Sequence, residues 1–235
     1  MAIYVGLYIY DSAILLQPNE GILKLGIGES WRSGFGSKNT TFARKELYIP
    51  SILNPGAPIF RLSWHYETSF PSHEVDWESS ILALKWFKVP VWFLYSLSFV
   101  FLPTILFGHF GDALLLVAFS LIYLNVVLIT VLLYFKKNSF NISNREFWFS
   151  TFDLLLCPPF AINVIRRLSL RLQVTEDFVA AAFRLQTTVN WRETESELRN
   201  RLINEAYDED DGTTRSIALK ERIALFTPAE IDDSN

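Results

Sequence analysis

Two long apolar runs limit what this chain can fold into more than any other feature of its sequence. Residues 89–107 and 113–135 contain no charged side chain. At about 1.5 Å rise per helical residue they extend over about 28 and 34 Å, whereas the hydrocarbon core of a bilayer is about 30 Å thick. Because only residues 108–112 separate the runs, the sequence predicts a transmembrane helical hairpin with a tight turn.

The positive charges around the hairpin predict its orientation. Lys85 and Lys88 precede the first run and Lys136, Lys137 and Arg145 follow the second, while the turn has no Lys or Arg. Positively charged residues favour the cytoplasmic side of a membrane. We therefore expect both termini in the cytoplasm and the hairpin in a cell inner or plasma membrane.

Polar residues inside the two runs predict contacts between the helices. Asn125 lies near the middle of the second run, and equal distances from the turn place Tyr95, Ser96 and Ser98 at its level. An amide in hydrocarbon needs a partner, so we predict a structural hydrogen bond across the hairpin rather than an ion or substrate site. Pro103 removes one backbone hydrogen bond and predicts a kink near the turn.

A third apolar stretch, in residues 146–172, is interrupted. Its apolar part, residues 147–165, contains Asp153 and the pair Pro158-Pro159, and three arginines follow this part: Arg166, Arg167 and Arg171. We expect two short segments, broken at the prolines, that lie in the cytoplasmic interface or dip into the membrane. The three arginines would then face anionic lipid headgroups.

Residues 1–70 have the pattern of a cytoplasmic β-rich domain. Residues 59–66 alternate between apolar and polar side chains, and shorter strand-like runs occur at 3–10, 13–17, 22–27 and 46–49. The pattern predicts a small antiparallel sheet or a partly closed barrel. The first 17 residues lack a basic start and contain Asp11, which argues against a signal peptide and against a third span.

The glycine-rich residues 26–36 invite comparison with phosphate-binding loops. They match neither the dinucleotide fingerprint nor the lysine pattern of a P-loop, so we expect a mobile connection instead.

Helices are predicted on both sides of the membrane segments. Ser72 is a candidate cap for a linking helix over residues 71–88. In residues 173–235, one helix is expected from Thr175, a second is opened by Thr194 and Glu197, and a third covers about 215–226. Their apolar stripes are narrow, so these helices should pack on the β domain, on the membrane surface or on a partner protein.

Charge and composition restrict the partners. From Glu193 onward there are twelve acidic and five basic residues, a net charge of −7, whereas the preceding residues carry +3. The acidic tail is expected to be solvated and to face proteins. No basic stripe with interleaved aromatic residues lies outside the membrane-proximal region, so a nucleic-acid partner is not expected.

Residues that could carry chemistry are few. One group before the first run gathers imidazole and carboxylate side chains: His65, Glu67, His73, Glu74, Asp76 and Glu78. Its spacing matches no established zinc motif, and acidic residues are favourable in the first turn of a helix in any case. Cys157 is interpreted as a small apolar residue and His109 as a turn residue. The sequence therefore predicts no catalytic residue, no metal site and no cofactor.

These features together predict an α+β membrane protein with a two-helix transmembrane hairpin, a small N-terminal cytoplasmic β domain and C-terminal helices. The expected function is non-enzymatic: a subunit of a membrane complex, or an accessory or protective protein. The expected partners are the lipid bilayer and other membrane or cytoplasmic proteins, and a homo-oligomer is a further possibility. The alternative is a ligand-sensing membrane effector in which the β domain controls the hairpin. A membrane enzyme that uses the His65–Glu78 group ranks third.

Overall fold

The computed structural model describes residues 2–26, 28, 30–64, 77–108, 111–172, 174, 176–208 and 220–221. Within them the chain is a mixed α+β fold with a small N-terminal β region and helices, of which two are long. One continuous apolar core joins the N-terminal helix, a sheet, both long helices and the C-terminal helices. The mixed class expected from the sequence is thus confirmed.

The β region consists of two three-stranded antiparallel sheets. The strand orders are β1-β5-β4 and β3-β2-β6. The strands are β1 (Ile14–Leu16), β2 (Glu20–Leu25), β3 (Trp31–Gly34), β4 (Ser37–Phe42), β5 (Lys45–Tyr48) and β6 (Ile59–Ser63). A small apolar cluster with residues from both sheets holds them together: Ile14, Leu16, Ile22, Tyr48 and Ile59.

The predicted alternation in β6 is confirmed, because Phe60 and Leu62 are buried while Arg61 is exposed. The interpretation of residues 26–36 as a mobile connection is wrong for β3. Trp31 anchors this strand, with its ring 5.8 Å from that of Phe60 and 5.3 Å from that of Trp77. Such aromatic packing joins residues far apart in the chain, so the glycine content alone did not reveal it.

Residues 3–10, predicted as a strand, lie instead in helix α1 (Ala2–Ser12). Tyr8 is fully buried, and its ring centroid lies 6.4 Å from that of Tyr95 and 5.3 Å from that of Phe99. Tyr4 lies one turn earlier and contacts Phe99 as well. These contacts with a long helix favour the helical spacing of four residues over the strand spacing of two.

The two long helices contain the two apolar runs. Helix α2 (Trp77–Phe107) continues without interruption from the expected linking helix into the first run, and α3 (Asp112–Lys136) contains the second and continues as a 3₁₀ turn (Lys137–Phe140). Both helices are long and apolar enough to cross a membrane. The predicted start of the linking helix, at Ser72 and His73, lies outside the described residues.

Helix α2 widens before Pro103 into a π-helical segment (Leu97–Phe101). The N–H of Leu102 donates to the carbonyl of Leu97, five residues earlier. Because Pro103 has no N–H of its own to donate, this wider turn is a local adjustment to the proline. The irregularity expected from Pro103 thus takes the form of a π segment.

Three short helices follow the long ones: α4 (Asn144–Leu156), α5 (Pro158–Ile162) and α6 (Val164–Arg171). Ser143 begins α4 with a reciprocal capping box formed with Glu146. The predicted break at the prolines is confirmed, since α4 ends one residue before Cys157 and α5 begins at Pro158. Three helices are present in place of the two expected segments, because Asn163 ends α5 as well.

The C-terminal helices pack on the sheets, one of the locations expected for them. Helix α7 (Phe178–Leu185) is capped by Asp177, whose carboxylate accepts from two backbone N–H groups. Helix α8 (Thr188–Asp208) begins six residues before Thr194. The predicted start at Thr194 is therefore wrong, and its hydroxyl instead contacts Ser33 of β3 at 2.6 Å. Of the third predicted helix, only residues 220–221 are described.

Candidate functional site

A hydrogen bond made by Asn125 links the two long helices. Its Nδ2 donates to the carbonyl oxygen of Pro90 at 2.8 Å, and the side chain is buried. A bond across the hairpin was predicted, but its partner is a backbone carbonyl in place of Tyr95, Ser96 or Ser98. The acceptor lies about one to two helical turns closer to the start of α2 than equal distances from the turn suggested.

The two predicted serine partners have other contacts. Ser98 is fully buried, and its hydroxyl lies 2.9 Å from that of Tyr4 in α1. Ser96 donates to the carbonyl of Trp92 in its own helix. Because residues 3–10 were predicted as a strand, a contact between α1 and Ser98 was not expected. The prediction that Ser96 or Ser98 pairs with Asn125 is therefore wrong.

Arg166 does not point toward an outer surface, and the prediction that it faces headgroups is corrected. The residue is 2% exposed. Its guanidinium donates to the carbonyls of Ser51 at 2.6 Å and Asn54 at 2.9 Å and to the side chain of Asn163 at 3.1 Å. The loop after β5 has carbonyls without a strand partner, and a buried arginine supplies their donors.

Arg167 and Arg171 are partly exposed and are paired with carboxylates. Arg167 lies 3.8 Å from Asp11 and 3.5 Å from Asp153, and Arg171 lies 2.7 Å from Glu146. Burial raises the pKa of the Asp11 carboxyl, an effect that Arg167 opposes. These pairs connect α1, α4 and α6, and a role of Arg167 and Arg171 at headgroups stays a prediction.

A cavity of about 360 Å³ lies where the hairpin of β2 and β3 meets the loop after β5 and helix α6. Three cationic side chains line it: Lys24, Arg32 and Arg166. The remaining lining residues are small, hydroxyl-bearing or apolar: Leu25, Gly26, Gly28, Ser30, Pro50, Ser51, Leu53, Asn54, Ala57 and Ile59. No carboxylate is among the described lining residues, so positive charge is in excess there.

Packing connects the cavity wall to helix α2. The guanidinium carbon of Arg166 lies 5.7 Å from the ring centre of Tyr8, which contacts Phe99 of the π segment. On the other side of the cavity, the loop after β5 approaches α2 so closely that a Cβ on Gly56 would lie 2.8 Å from the indole nitrogen of Trp92. The loop after β5 therefore contacts α2 directly, whereas Arg166 is connected to α2 through Tyr8.

The described residues contain no group of three or more His, Cys, Asp or Glu side chains that could hold a metal ion. The predicted group that includes His65, Glu67, His73, Glu74 and Asp76 lies outside the described part of the chain, and so does His109; Glu78 lies in the first turn of α2. Cys157 is a free thiol between α4 and α5, and burial raises its pKa, which favours the less reactive protonated form.

The sequence analysis missed the cavity, although one signal for it was present. Lys24 and Arg32 lie four residues before and four residues after Gly28, and a hairpin centred on this glycine pairs them directly, as the structure does. The third cation, Arg166, comes from a helix more than 130 residues later and has no such local signal.

No protein-family model, curated protein or solved structure matches this chain.

Proposed function

We propose that this chain is an integral membrane protein, anchored by α2 and α3, that works through contacts with other proteins rather than through catalysis. The observation that carries the anchor is the exposed surface of α3. Its most apolar 18-residue window has a mean hydropathy of 2.6, yet only 28% of this window is buried in the folded chain.

This exposed apolar surface suits contact with lipid. Leu116, Leu124 and Phe135 of α3 are 71%, 67% and 74% exposed, and Val89 and Phe107 at the two ends of the first run are 79% and 77% exposed. Contiguous apolar patches of this kind are rare on soluble monomers. The sixteen Leu, Ile, Val and Phe residues of the second run contribute about −5 to −10 kcal/mol to insertion, enough to offset the amide of Asn125.

Side chains at one end of the long helices support a common membrane interface there. The ammonium group of Lys136 lies 5.3 Å from the ring centre of Trp86, and that of Lys137 lies 4.7 Å from the ring centre of Tyr134. Tryptophan, tyrosine and lysine are typical of the boundary between hydrocarbon and water. With Lys85 and Lys88 at the same end, this supports the cytoplasmic location of both termini.

The short helices fit the cytoplasmic half of the bilayer. Tyr4 contacts Ser98, the central residue of the first apolar run, so α1 extends along α2 to that depth. Helix α4 exposes four apolar side chains on its outer side: Trp148, Phe149, Phe152 and Leu156. Asp11 and Arg167, which lie on these helices, are paired with each other, which is the usual condition for charge near hydrocarbon.

A second exposed apolar area supports contacts with proteins. Phe183 in α7 is 68% exposed and Val189 in α8 is 70% exposed, and the ring of Phe183 stacks edge-on against Trp191 at 5.3 Å. These helices pack on the β sheets rather than along α2 or α3. In this arrangement the area faces the cytoplasm, where a partner protein rather than lipid covers it.

Site-specific photocrosslinking in native membranes tests this proposal. A photoreactive side chain replaces Phe183 in one variant and the exposed Lys38 of β4 in a matched control. We expect a heavier adduct at Phe183 alone, and its loss when Val189→Glu is added. Recovery of an uncrosslinked monomer from both variants contradicts the proposal.

The packing from the cavity through Arg166 and Tyr8 to Phe99 favours a second candidate, the ligand-sensing membrane effector. In this function, a ligand in the cavity changes the position of α2. Reconstitution into dye-loaded vesicles distinguishes the two: leakage that differs between the wild-type protein and Lys24→Gln favours the effector. Tight vesicles with both proteins favour the anchored scaffold.

A further inference from the structure

We infer that the cavity lined by Lys24, Arg32 and Arg166 is a binding site for a phosphate-bearing ligand. The inference requires only the cavity, and it holds whether the protein is a scaffold or an effector. A volume of about 360 Å³ is within the usual range of small-molecule sites, about 300–1,000 Å³.

The first argument is the unbalanced charge on two neighbouring strands. Lys24 of β2 and Arg32 of β3 are paired residues in the antiparallel register. Like charges directly opposite each other destabilise a sheet. Burial and the charge of Arg32 both lower the pKa of Lys24, and no carboxylate among the described lining residues compensates its ammonium group. An anion between the two cations removes this repulsion.

The second argument is the buried guanidinium of Arg166. Three of its hydrogen bonds have protein acceptors, at Ser51, Asn54 and Asn163, but its Nε–H is buried and has no hydrogen-bond partner among the described residues. A buried donor without a partner is unfavourable. Arg166 lines the cavity, so its positive charge adds to that of Lys24 and Arg32 there.

The described residues of the glycine-rich turn, Gly26, Gly28 and Ser30, line one side of the cavity. Gly26 donates its N–H to the carbonyl of Ser30 at 2.8 Å, so this amide is already satisfied. A Cβ on Gly28 would meet no atom within 4 Å, which leaves the approach open. The Ser30 hydroxyl also lines the cavity.

Three cations fit a phosphate monoester better than a carboxylate, because the phosphate carries a charge of about −1.5 to −2 at neutral pH and offers three acceptor oxygens. Apolar residues at the same cavity, such as Leu25, Leu53 and Ile59, fit the carbon part of an ester. The ligand is either a soluble phosphate ester or a lipid headgroup, since the loop beside Gly56 touches Trp92 near the start of the first apolar run.

Binding is measured with the full-length protein in mild detergent at pH 7.5, by calorimetric titration with inorganic phosphate. The test variant is Lys24→Gln/Arg32→Gln, and the matched control is Arg61→Gln, which makes the same change on β6 outside the cavity. We expect saturable binding to the wild-type protein and the control, and affinity at least tenfold lower in the double variant. Arg166 is left unchanged because its bonds to the loop support folding.

A second arm distinguishes the two sources of phosphate. The protein is placed in nanodiscs of phosphatidylcholine with or without phosphatidic acid, and its melting temperature is measured, since a ligand that binds the folded state raises it. Stabilisation by phosphatidic acid that the double variant lacks, without binding of inorganic phosphate, assigns the site to a lipid headgroup. Binding of inorganic phosphate without stabilisation by phosphatidic acid assigns it to soluble esters.

Two results overturn the inference. One is that neither inorganic phosphate nor phosphatidic acid binds or stabilises the wild-type protein, or that both act equally on the wild-type protein and the double variant. The other is an equal response to chloride at the same ionic strength, which indicates charge screening. A failed crosslink at Phe183 leaves this inference intact, so the two proposals are tested separately.

Discussion

Replacing Arg201 by leucine is predicted to destabilise the packing of α8 on the β region strongly. This arginine of α8 is 6% exposed in its side chain and connects the helix to β5 and to the loop between β3 and β4. It donates to Glu46 of β5 at 2.7 Å, to the carbonyl of Gly36 at 2.6 Å and to Glu197 at 3.0 Å. Its guanidinium also stacks on the ring of Phe35 at 4.9 Å.

The magnitude follows from what the substitution leaves behind. The side chain of Glu46 is only 12% exposed, so without Arg201 a carboxylate remains buried and unpaired. Breaking a buried ion pair from one side costs about 3–5 kcal/mol. For a chain of this size, about 2–4 °C per kcal/mol corresponds to a melting temperature lower by about 6–20 °C.

The assay is unfolding in mild detergent, followed by tryptophan fluorescence. Arg61→Leu is the control, because Arg61 lies 3.9 Å from Glu20 and is 48% exposed in its side chain, and exposed pairs contribute about 1 kcal/mol or less. The double variant Arg201→Leu/Glu46→Leu should recover most of the loss. A loss below about 1 kcal/mol for Arg201→Leu, or no recovery in the double variant, refutes the reasoning.

Three further substitutions have distinct expected effects. Asn125→Leu removes the hydrogen bond to Pro90. Because membrane hydrogen bonds average about 0.6 kcal/mol, the variant should still fold and insert, and its free energy of unfolding should change by about 1 kcal/mol or less. Loss of membrane insertion contradicts this prediction. Asp11→Asn should raise the melting temperature at pH 7, because the folded-state pKa of the Asp11 carboxyl is raised. The stabilising contribution of this carboxyl is complete below its unfolded-state pKa and is lost as the pH rises through its folded-state pKa. A pH profile of the melting temperature that is unchanged by the substitution argues against this prediction. Ser143→Ala should cost about 1 kcal/mol by removing the cap of α4, and an unchanged melting temperature speaks against that role.

The long helices were predictable because their signal is local. A run without charge, such as 113–135, is a property of consecutive residues and needs no knowledge of the rest of the fold. The break at Pro158-Pro159 is local in the same sense, because a proline cannot donate its backbone N–H. The need of Asn125 for a partner was predictable on the same basis.

The identity of that partner was not predictable, because it depends on contacts between distant segments. The hydroxyl of Tyr4 contacts that of Ser98 only because α1 is a helix beside α2. The alternation of aromatic and aliphatic residues in 3–10 is equally compatible with a strand, and the packing of Tyr8 on Phe99 decides between them. Tertiary contact here overrides local preference.

The candidate site combines both kinds of information. The pairing of Lys24 with Arg32 follows from a hairpin centred on Gly28 and could have been proposed from the sequence. The burial of Arg166 could not, because a sequence that ends an apolar stretch with arginines also fits a surface that faces headgroups. Its acceptors, the carbonyls of Ser51 and Asn54, lie more than 110 residues away.

Cysteine labelling of sealed cells tests most directly whether α2 and α3 cross a bilayer. In a Cys157→Ser background, Asp112→Cys reports on the turn and Lys38→Cys reports on the β domain. With a membrane-impermeant maleimide, we expect the turn position to react in intact cells and the β-domain position to react only after permeabilisation. Equal reaction of both positions in intact cells, or recovery of the protein in the soluble fraction without detergent, contradicts the membrane anchor.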